Sequence, residues 1–155
     1  MTVTPRIGQV VSTTKTDTFT TTATTFTDIT GLSVSITPTS ASNKILVIAS
    51  VTASNDAATI QGGTRITRNG TAVFVGDTAG NRISGQMIDV TNADSTVTQG
   101  VSFLDSPATT SALTYAVQAR NSAAGTFYVN RSENDTNDVN HYRGASSITV
   151  MEVIV

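Results

Sequence analysis

Short stretches in which apolar residues alternate with small polar ones recur along the whole chain, and turn-forming residues separate them. Residues 32–36 place three apolar side chains on one face and two serines on the other, as a half-buried strand does. Residues 44–51 are almost continuously apolar, which is typical of a central strand covered on both faces. Thirty of the 155 residues are threonine, which favours strands over helices. The sequence therefore predicts an all-β fold.

The dipeptide Asn69-Gly70 gives the strongest local signal. Both residues tolerate a positive φ, so a two-residue β-hairpin is predicted between 65–68 and 71–75. Further strands are predicted at residues 82–90, 97–104, 112–120, 126–130 and 147–155. Nine or ten short strands at near-regular spacing indicate an antiparallel sandwich or barrel. The last strand is apolar for a chain end, so we expect it in the middle of a sheet or under a neighbouring subunit.

Charge and composition exclude several classes of partner. Nine basic and eleven acidic residues give a net charge of −2, and no basic stripe is present to follow a nucleic-acid backbone. The chain has no cysteine, which excludes disulfides and thiolate metal sites. No apolar stretch approaches the roughly 18 residues needed to cross a bilayer. We expect one soluble domain that folds in a reducing cytoplasm, with no nucleic-acid or membrane partner.

The sequence offers little that could carry catalysis. His141 is the only histidine, it lies in a polar segment, and no Gly-x-Ser-x-Gly elbow accompanies it. Glu133, Asp135 and Asp138 lie nearby, but they lack the glycine and the closing glutamate of a calcium loop. We therefore expect a solvated loop, no metal, no cofactor and no enzymatic activity. Glu152, inside the apolar last strand, is expected to face outward or to be paired.

Three stretches of the chain resemble a family. They are residues 9–17, residues 26–38 with 42–47 after them, and residues 142–152. They are similar to virion proteins of tailed bacteriophages, a group common among phages of aquatic bacteria, and the segment 26–47 is the most specific part. Residues 53–62 and 76–100 carry no such match. The resemblance implies a protein made in the host bacterial cytoplasm and located in the virion.

The order of features also resembles the trimeric jelly roll of tumour-necrosis-factor and complement globular-head domains. This implies an antiparallel jelly-roll β-sandwich that forms a homotrimer, with residues 1–14 as an N-terminal arm or first strand and residues 15–155 as the sandwich. In such trimers the inner sheets bury against one another, so the resemblance places Ile148, Val150 and Ile154 at the trimer interface.

Two functions follow from the resemblance. The first is a capsid decoration or cement protein whose partners are two further copies of itself and the major capsid protein. Its expected capsid-binding residues lie in the N-terminal arm, by analogy with segments that add to sheet edges: Val3, Pro5, Arg6 and Val10. The alternative is a fibre receptor-binding module that recognises host-surface carbohydrate, which the absence of an attachment domain and shaft disfavours. A small hydrolase is a third hypothesis, without a motif. The loops 53–62, 76–100 and 131–141 remain open as ligand sites.

Overall fold

The computed structural model describes residues 4–56 and 61–155, and within these residues the chain forms strands, turns and loops without a helix. No segment in the described ranges is a helix that could cross a bilayer. The strands are β1 (Arg6–Lys15), β2 (Phe19–Thr21), β3 (Thr27–Ile36), β4 (Lys44–Asn55), β5 (Gly62–Arg68), β6 (Thr71–Val73), β7 (Gln86–Ile88), β8 (Val97–Asp105), β9 (Leu113–Asn121), β10 (Phe127–Val129) and β11 (Ser146–Ile154).

The strands form two sheets in which every pair is antiparallel. The six-stranded sheet has the order β1-β11-β4-β10-β2, and β8 pairs with the other edge of β4. The five-stranded sheet has the order β3-β9-β5-β6, and β7 pairs with the same edge of β5 as β6. The last strand, β11, lies between β1 and β4. Its predicted position in the middle of a sheet is confirmed, as is the all-β class.

The core lies between the two sheets and follows from the alternation in the sequence. In β3 every second residue from Leu32 to Ile36 is buried, and in β4 the buried residues begin with Ile45 and Val47. Tyr115 and Phe127 are the largest fully buried side chains. Successive side chains of a strand point to opposite faces, so every second residue of these strands lies in a shared apolar layer between the sheets.

The predicted strands at 97–104, 112–120 and 147–155 are confirmed by β8, β9 and β11, and the Asn69-Gly70 hairpin is confirmed between β5 and β6. Asn69 has a φ of 50° and Gly70 a φ of 80°, as a two-residue hairpin requires. Two extents are wrong. The strand predicted at 71–75 ends at Val73 because Phe74 has a φ of 53°, and only Gln86–Ile88 of the strand predicted at 82–90 pairs with a neighbour.

The expectation that β4 is covered on both faces is wrong for the single chain. Its inward residues, such as Val47 and Ala49, are buried, but Ile48 on the opposite face is 39 % exposed. The second face of β4 belongs to the outer surface of the six-stranded sheet. A solvent-facing sheet surface usually carries polar side chains, but this one carries exposed apolar residues such as Ile48. It is therefore the first candidate for an interaction site.

Candidate interaction surface

A row of four apolar side chains crosses the outer face of the six-stranded sheet. The strand register places Val10 of β1 opposite Met151 of β11, Met151 opposite Leu46 of β4, and Leu46 opposite Leu104 of β8. Residues paired in this way lie on the same face of a sheet and touch their neighbours. Val10 is 56 % exposed and Leu104 is 55 % exposed. The two ends of the row are therefore open to solvent.

More apolar residues flank this row. On one side Ile7, which is half exposed, lies opposite Val153, and on the other side Ile48 lies between Thr149 and Ser102. We call the outward-facing set the outer apolar patch: Ile7, Val10, Leu46, Ile48, Leu104, Met151 and Val153. Lys44, opposite Val153, adds one charged side chain to this face. Exposed apolar side chains gathered on one face of a sheet are typical of a protein interface.

The outer face becomes polar along the strands. The next row beyond Ile48 consists of Thr14, Ser147, Ser50 and Gly100, as the same register places them. Between the two regions, Ser12 Oγ and Thr149 Oγ1 are hydrogen-bonded at 2.7 Å. The patch therefore occupies one end of the sheet and has a polar border, which is the usual anatomy of an interface core and its rim.

A bulge in β1 allows both Ile7 and Val10 to face outward. The register with β11 shifts between these two residues, so that Gly8 and Gln9 oppose the single residue Glu152 of the partner strand. Gly8 lies in the bulge, where an added Cβ would come within 2.8 Å of Ile154 Cδ1. Gln9 turns inward, and its Nε2 donates to Glu152 Oε2 at 2.8 Å.

Glu152 anchors the inner side of the same end of the sheet. Its side chain is 1 % exposed, and its Oε1 accepts hydrogen bonds from the Thr39 backbone N, Thr39 Oγ1 and Asn43 Nδ2 at 2.6–2.8 Å. Burial raises the pKa of this carboxyl, but the donors from Gln9, Asn43 and Thr39 outweigh it and hold the pKa at about 2. Glu152 therefore faces inward, and the expectation of an outward-facing carboxylate is wrong; within residues 4–56 and 61–155 it is held by hydrogen bonds and forms no ion pair.

A second polar network joins the two sheets. Asp105 of β8 accepts from Arg68 Nη1 of β5 at 2.7 and 2.8 Å and from the hydroxyl of Tyr115 of β9 at 2.6 Å. Burial, followed by the hydrogen bond to Asp105, raises the pKa of Tyr115. The network fixes Asp105 next to Leu104 and so fixes one end of the outer apolar patch.

The residues expected at the trimer interface are not all available to a partner. Ile148 and Val150 are fully buried in the core between the sheets. They face inward because they alternate along β11 with the outward residues Thr149 and Met151. Ile154 is half buried beside Gly8. The outward-facing apolar side chains of this strand are instead Met151 and Val153.

The residues expected to bind a capsid lie at or before β1. Val3 is outside the described residues. Pro5 and Arg6 are exposed, and Arg6 is the first residue of β1, opposite Ile154. Val10 belongs to the outer apolar patch. The part of the N-terminal arm that the structure describes from Arg6 onward is thus a full strand of the sheet.

The polar segment around His141 is a cross-link between loops. The Nδ1 atom of His141 is 2.8 Å from Asp138 Oδ1, and its Nε2 is 3.2 Å from Asp94 Oδ1. The His141 side chain is 13 % exposed and so partly buried, whereas residues 136–140 beside it are exposed, as expected of a solvated loop. The hydrogen bond to Asp138 raises the pKa of His141, burial opposes this, and Asp94 adds to the increase. Arg143 pairs with Asp135 in the same segment. In residues 4–56 and 61–155, no group of three or more metal-binding side chains could hold an ion.

Sequence reasoning missed the outer apolar patch as a unit. The register between β1, β11, β4 and β8 brings Val10, Leu46, Leu104 and Met151 together, and no local pattern reveals that register. The apolar residues on the second face of 44–51 were the one available signal.

A scan of protein-family models and a search of curated proteins both found no match to this chain.

Proposed function

We propose that this chain is a structural protein of a bacteriophage virion, that it adopts a jelly roll, and that it forms a homotrimer that decorates and stabilises the capsid. The outer apolar patch is the observation that carries the proposal of self-assembly. The virion location rests on the resemblance of residues 9–17, 26–47 and 142–152 to phage virion proteins.

The strand order supports the jelly roll. If the eight main strands β1, β3, β4, β5, β6, β8, β9 and β11 are numbered consecutively, one sheet reads 1-8-3-6 and the other reads 2-7-4-5. This order of two four-stranded antiparallel sheets is the one expected for the two Greek keys of a jelly roll, and it supports that part of the proposal. The additional strands β2, β10 and β7 extend the sheets without interrupting this order.

The outer apolar patch supports self-assembly through the six-stranded sheet. Exposed apolar side chains on a sheet face bind favourably to a matching surface because burial removes them from water. A threefold arrangement would let the same patch on each protomer meet its neighbours around an axis. It would also cover the second face of β4, as the sequence of 44–51 predicts. The five-stranded sheet would then face away from the axis.

Sedimentation velocity of the purified chain tests the assembly. We expect a trimer at micromolar concentration, and we expect Leu104→Asp and Val10→Asp each to shift the chain toward monomer because they place a charge inside the patch. Ser33→Asp is the matched control, since Ser33 is exposed on β3 of the other sheet. A wild-type chain that sediments as a monomer, or a patch variant that assembles as the control does, would contradict this part of the proposal.

Capsid association needs its own test. Particles from which the protein has been removed are incubated with the purified chain, and bound protein is measured after pelleting. Because β1 pairs with β11 in the six-stranded sheet, deleting the arm would also disturb the fold. Single substitutions therefore test capsid binding more specifically than a deletion does. We expect Arg6→Glu to weaken binding while Ser33→Glu does not, and the bound trimer to raise the temperature at which particles release DNA. If the purified chain instead blocks phage adsorption and does not bind particles, the fibre receptor-binding function replaces the decoration role.

A further inference from the structure

Two adjoining depressions lie at the edge of the five-stranded sheet, away from the outer apolar patch. The deeper one has a volume of about 270 Å³, and the shallower one has a volume of about 480 Å³. Phe26, Arg82, Ile83 and Arg120 line both of them. They therefore form a single groove, which we call the arginine groove. Its walls come from the residues just before β3, from β5, from β7 with the loop before it, and from the end of β9. These four segments are distant in sequence.

Three guanidinium groups converge on this groove. Arg65 Cζ lies 4.1 Å from the centre of the Phe26 ring and Arg120 Cζ lies 5.8 Å from it, while Arg82 lines both depressions. No ion pair joins Arg65, Arg82 or Arg120 to a carboxylate within the described parts of the chain. Three of the nine basic residues of an acidic protein are thus gathered without a direct ion pair, and Asp28 is linked to Arg65 only through the Gln118 amide.

Each guanidinium is held in place by a neutral acceptor. Arg65 Nε donates to Gln118 Oε1 at 2.8 Å, Arg120 Nε donates to the backbone O of Asn121 at 2.9 Å, and Arg82 Nη1 donates to the backbone O of Ala79 at 3.2 Å. An arginine has five N–H donors, so most donors of the three groups are left for another acceptor. Orientation without neutralisation is how an anion site is preorganised.

Two residues that line the deeper depression carry buried acceptor atoms that lack a donor. Asn121 lines it and is fully buried, and its Oδ1 has no hydrogen-bond partner in the described structure. The amide cannot be reversed to solve this, because its Nδ2 already donates to the backbone O of Thr21 and of Gly125. Gln86, also in the lining, has a buried Oε1 without a partner. Buried acceptors of this kind are costly unless a donor reaches them.

We propose that the arginine groove binds an acidic sugar, whose carboxylate pairs with the arginines. The exposed apolar side chains of Ile83 and Met87 at the rim offer contact for the C–H face of the ring. The deeper volume is just below the range of pockets that hold drug-sized ligands, which suits one sugar ring. This activity goes beyond the structural role and does not depend on where the protein lies in the virion.

Titration of the isotope-labelled chain by NMR tests the site, with glucuronic acid as the probe, glucose as the neutral match and inorganic phosphate as the bare anion. We expect glucuronic acid to shift the amide signals of residues 62–63, 85–87 and 120–122, to bind about tenfold or more tightly than glucose, and to weaken as ionic strength rises. Equal binding of glucose and glucuronic acid would overturn the role of the arginines. If inorganic phosphate binds as tightly as glucuronic acid, the proposal that the groove recognises a sugar ring is wrong.

Two variants make the assignment specific. Arg82→Gln removes a charge from an exposed loop residue and should weaken glucuronic acid binding about tenfold, whereas Arg143→Gln, which removes the same charge elsewhere, should not. Gln86→Glu places a second carboxylate in the groove and should weaken glucuronic acid while leaving glucose unchanged. Unaltered affinity in both groove variants would refute the proposal. Sedimentation and particle binding of Arg82→Gln should match wild type, so failure here is distinguishable from failure of the virion role.

Discussion

Glu152 is a buried carboxylate whose partners in the described part of the chain are all neutral donors, so the fold is sensitive to its substitution. Glu152→Gln replaces one acceptor oxygen with an NH₂ group that faces the donors of Thr39, Asn43 or Gln9. We expect a loss of about 2 kcal/mol in the free energy of unfolding at pH 7, measured by urea denaturation. Asp77→Asn, in an exposed loop, is the control and should stay within about 0.5 kcal/mol of wild type.

The same carboxylate gives the fold an acid dependence of known sign. Its pKa is lowered from 4.5 to about 2, so its contribution to stability is complete above the unfolded value and is lost as the pH falls from about 4.5 to about 2. Wild type and Asp77→Asn should lose stability across this range, and Glu152→Gln should lose less. An identical acid profile in Glu152→Gln would mean that other carboxylates dominate.

His141 is the only histidine, so its titration can be followed without ambiguity. Asp138 and Asp94 raise its pKa above the ordinary 6.5, and a raised pKa stabilises the folded loop below pH 6.5 and ceases to do so as the pH rises through the folded value. We expect imidazole proton shifts in NMR to give a pKa above 6.5, and Asp138→Asn to lower it. Asp77→Asn should leave it unchanged, and a wild-type value at or below 6.5 would contradict the contact.

At the level of the strand pair, the β5–β6 hairpin depends on one glycine. Gly70 has a φ of 80°, whereas Gly76 shows no such φ and has open space where a Cβ would be. We expect Gly70→Ala to destabilise the fold by about 1–2 kcal/mol, and the control Gly76→Ala to be neutral or slightly stabilising. Thermal unfolding measures both. Equal effects at the two positions would show that backbone conformation does not limit this turn.

The predictability of each element depends on how local its cause is. Alternation located β3, β8, β9 and β11, because a half-buried strand needs only its own sequence. The loop before β7 was predicted to be part of a strand, but β7 begins only at Gln86. Just before that point the chain passes close to β5, since a Cβ at Gly85 would come within 2.9 Å of the backbone O of Thr64. A contact between such distant residues leaves no local signal in the sequence. The donors to Glu152 Oε1 lie 109 and 113 residues away in the chain. Such partners follow from the topology and leave no periodic signal.

For the whole molecule, the two candidate sites lie on different parts of the sandwich. The outer apolar patch belongs to the six-stranded sheet, and the arginine groove belongs to the edge of the five-stranded sheet. A trimer built on the first would leave the second open to solvent. Val10→Asp should therefore change assembly without changing glucuronic acid binding, and Arg82→Gln should do the reverse. Neither site could be predicted from sequence, because each combines residues from four separate segments of the chain.

Assembly through the outer apolar patch also predicts that stability depends on protein concentration. A partner that binds only the folded chain stabilises it by mass action, and for a trimer a tenfold rise in chain concentration corresponds to about 0.9 kcal/mol per chain. For a domain of this size that is about 2–4 °C in Tm. We expect this rise in wild type and in Ser33→Asp when Tm is measured by calorimetry at several concentrations. Leu104→Asp should melt at a lower temperature that does not change with concentration, because its patch no longer associates. A constant Tm in wild type would mean that the patch is not a self-association surface.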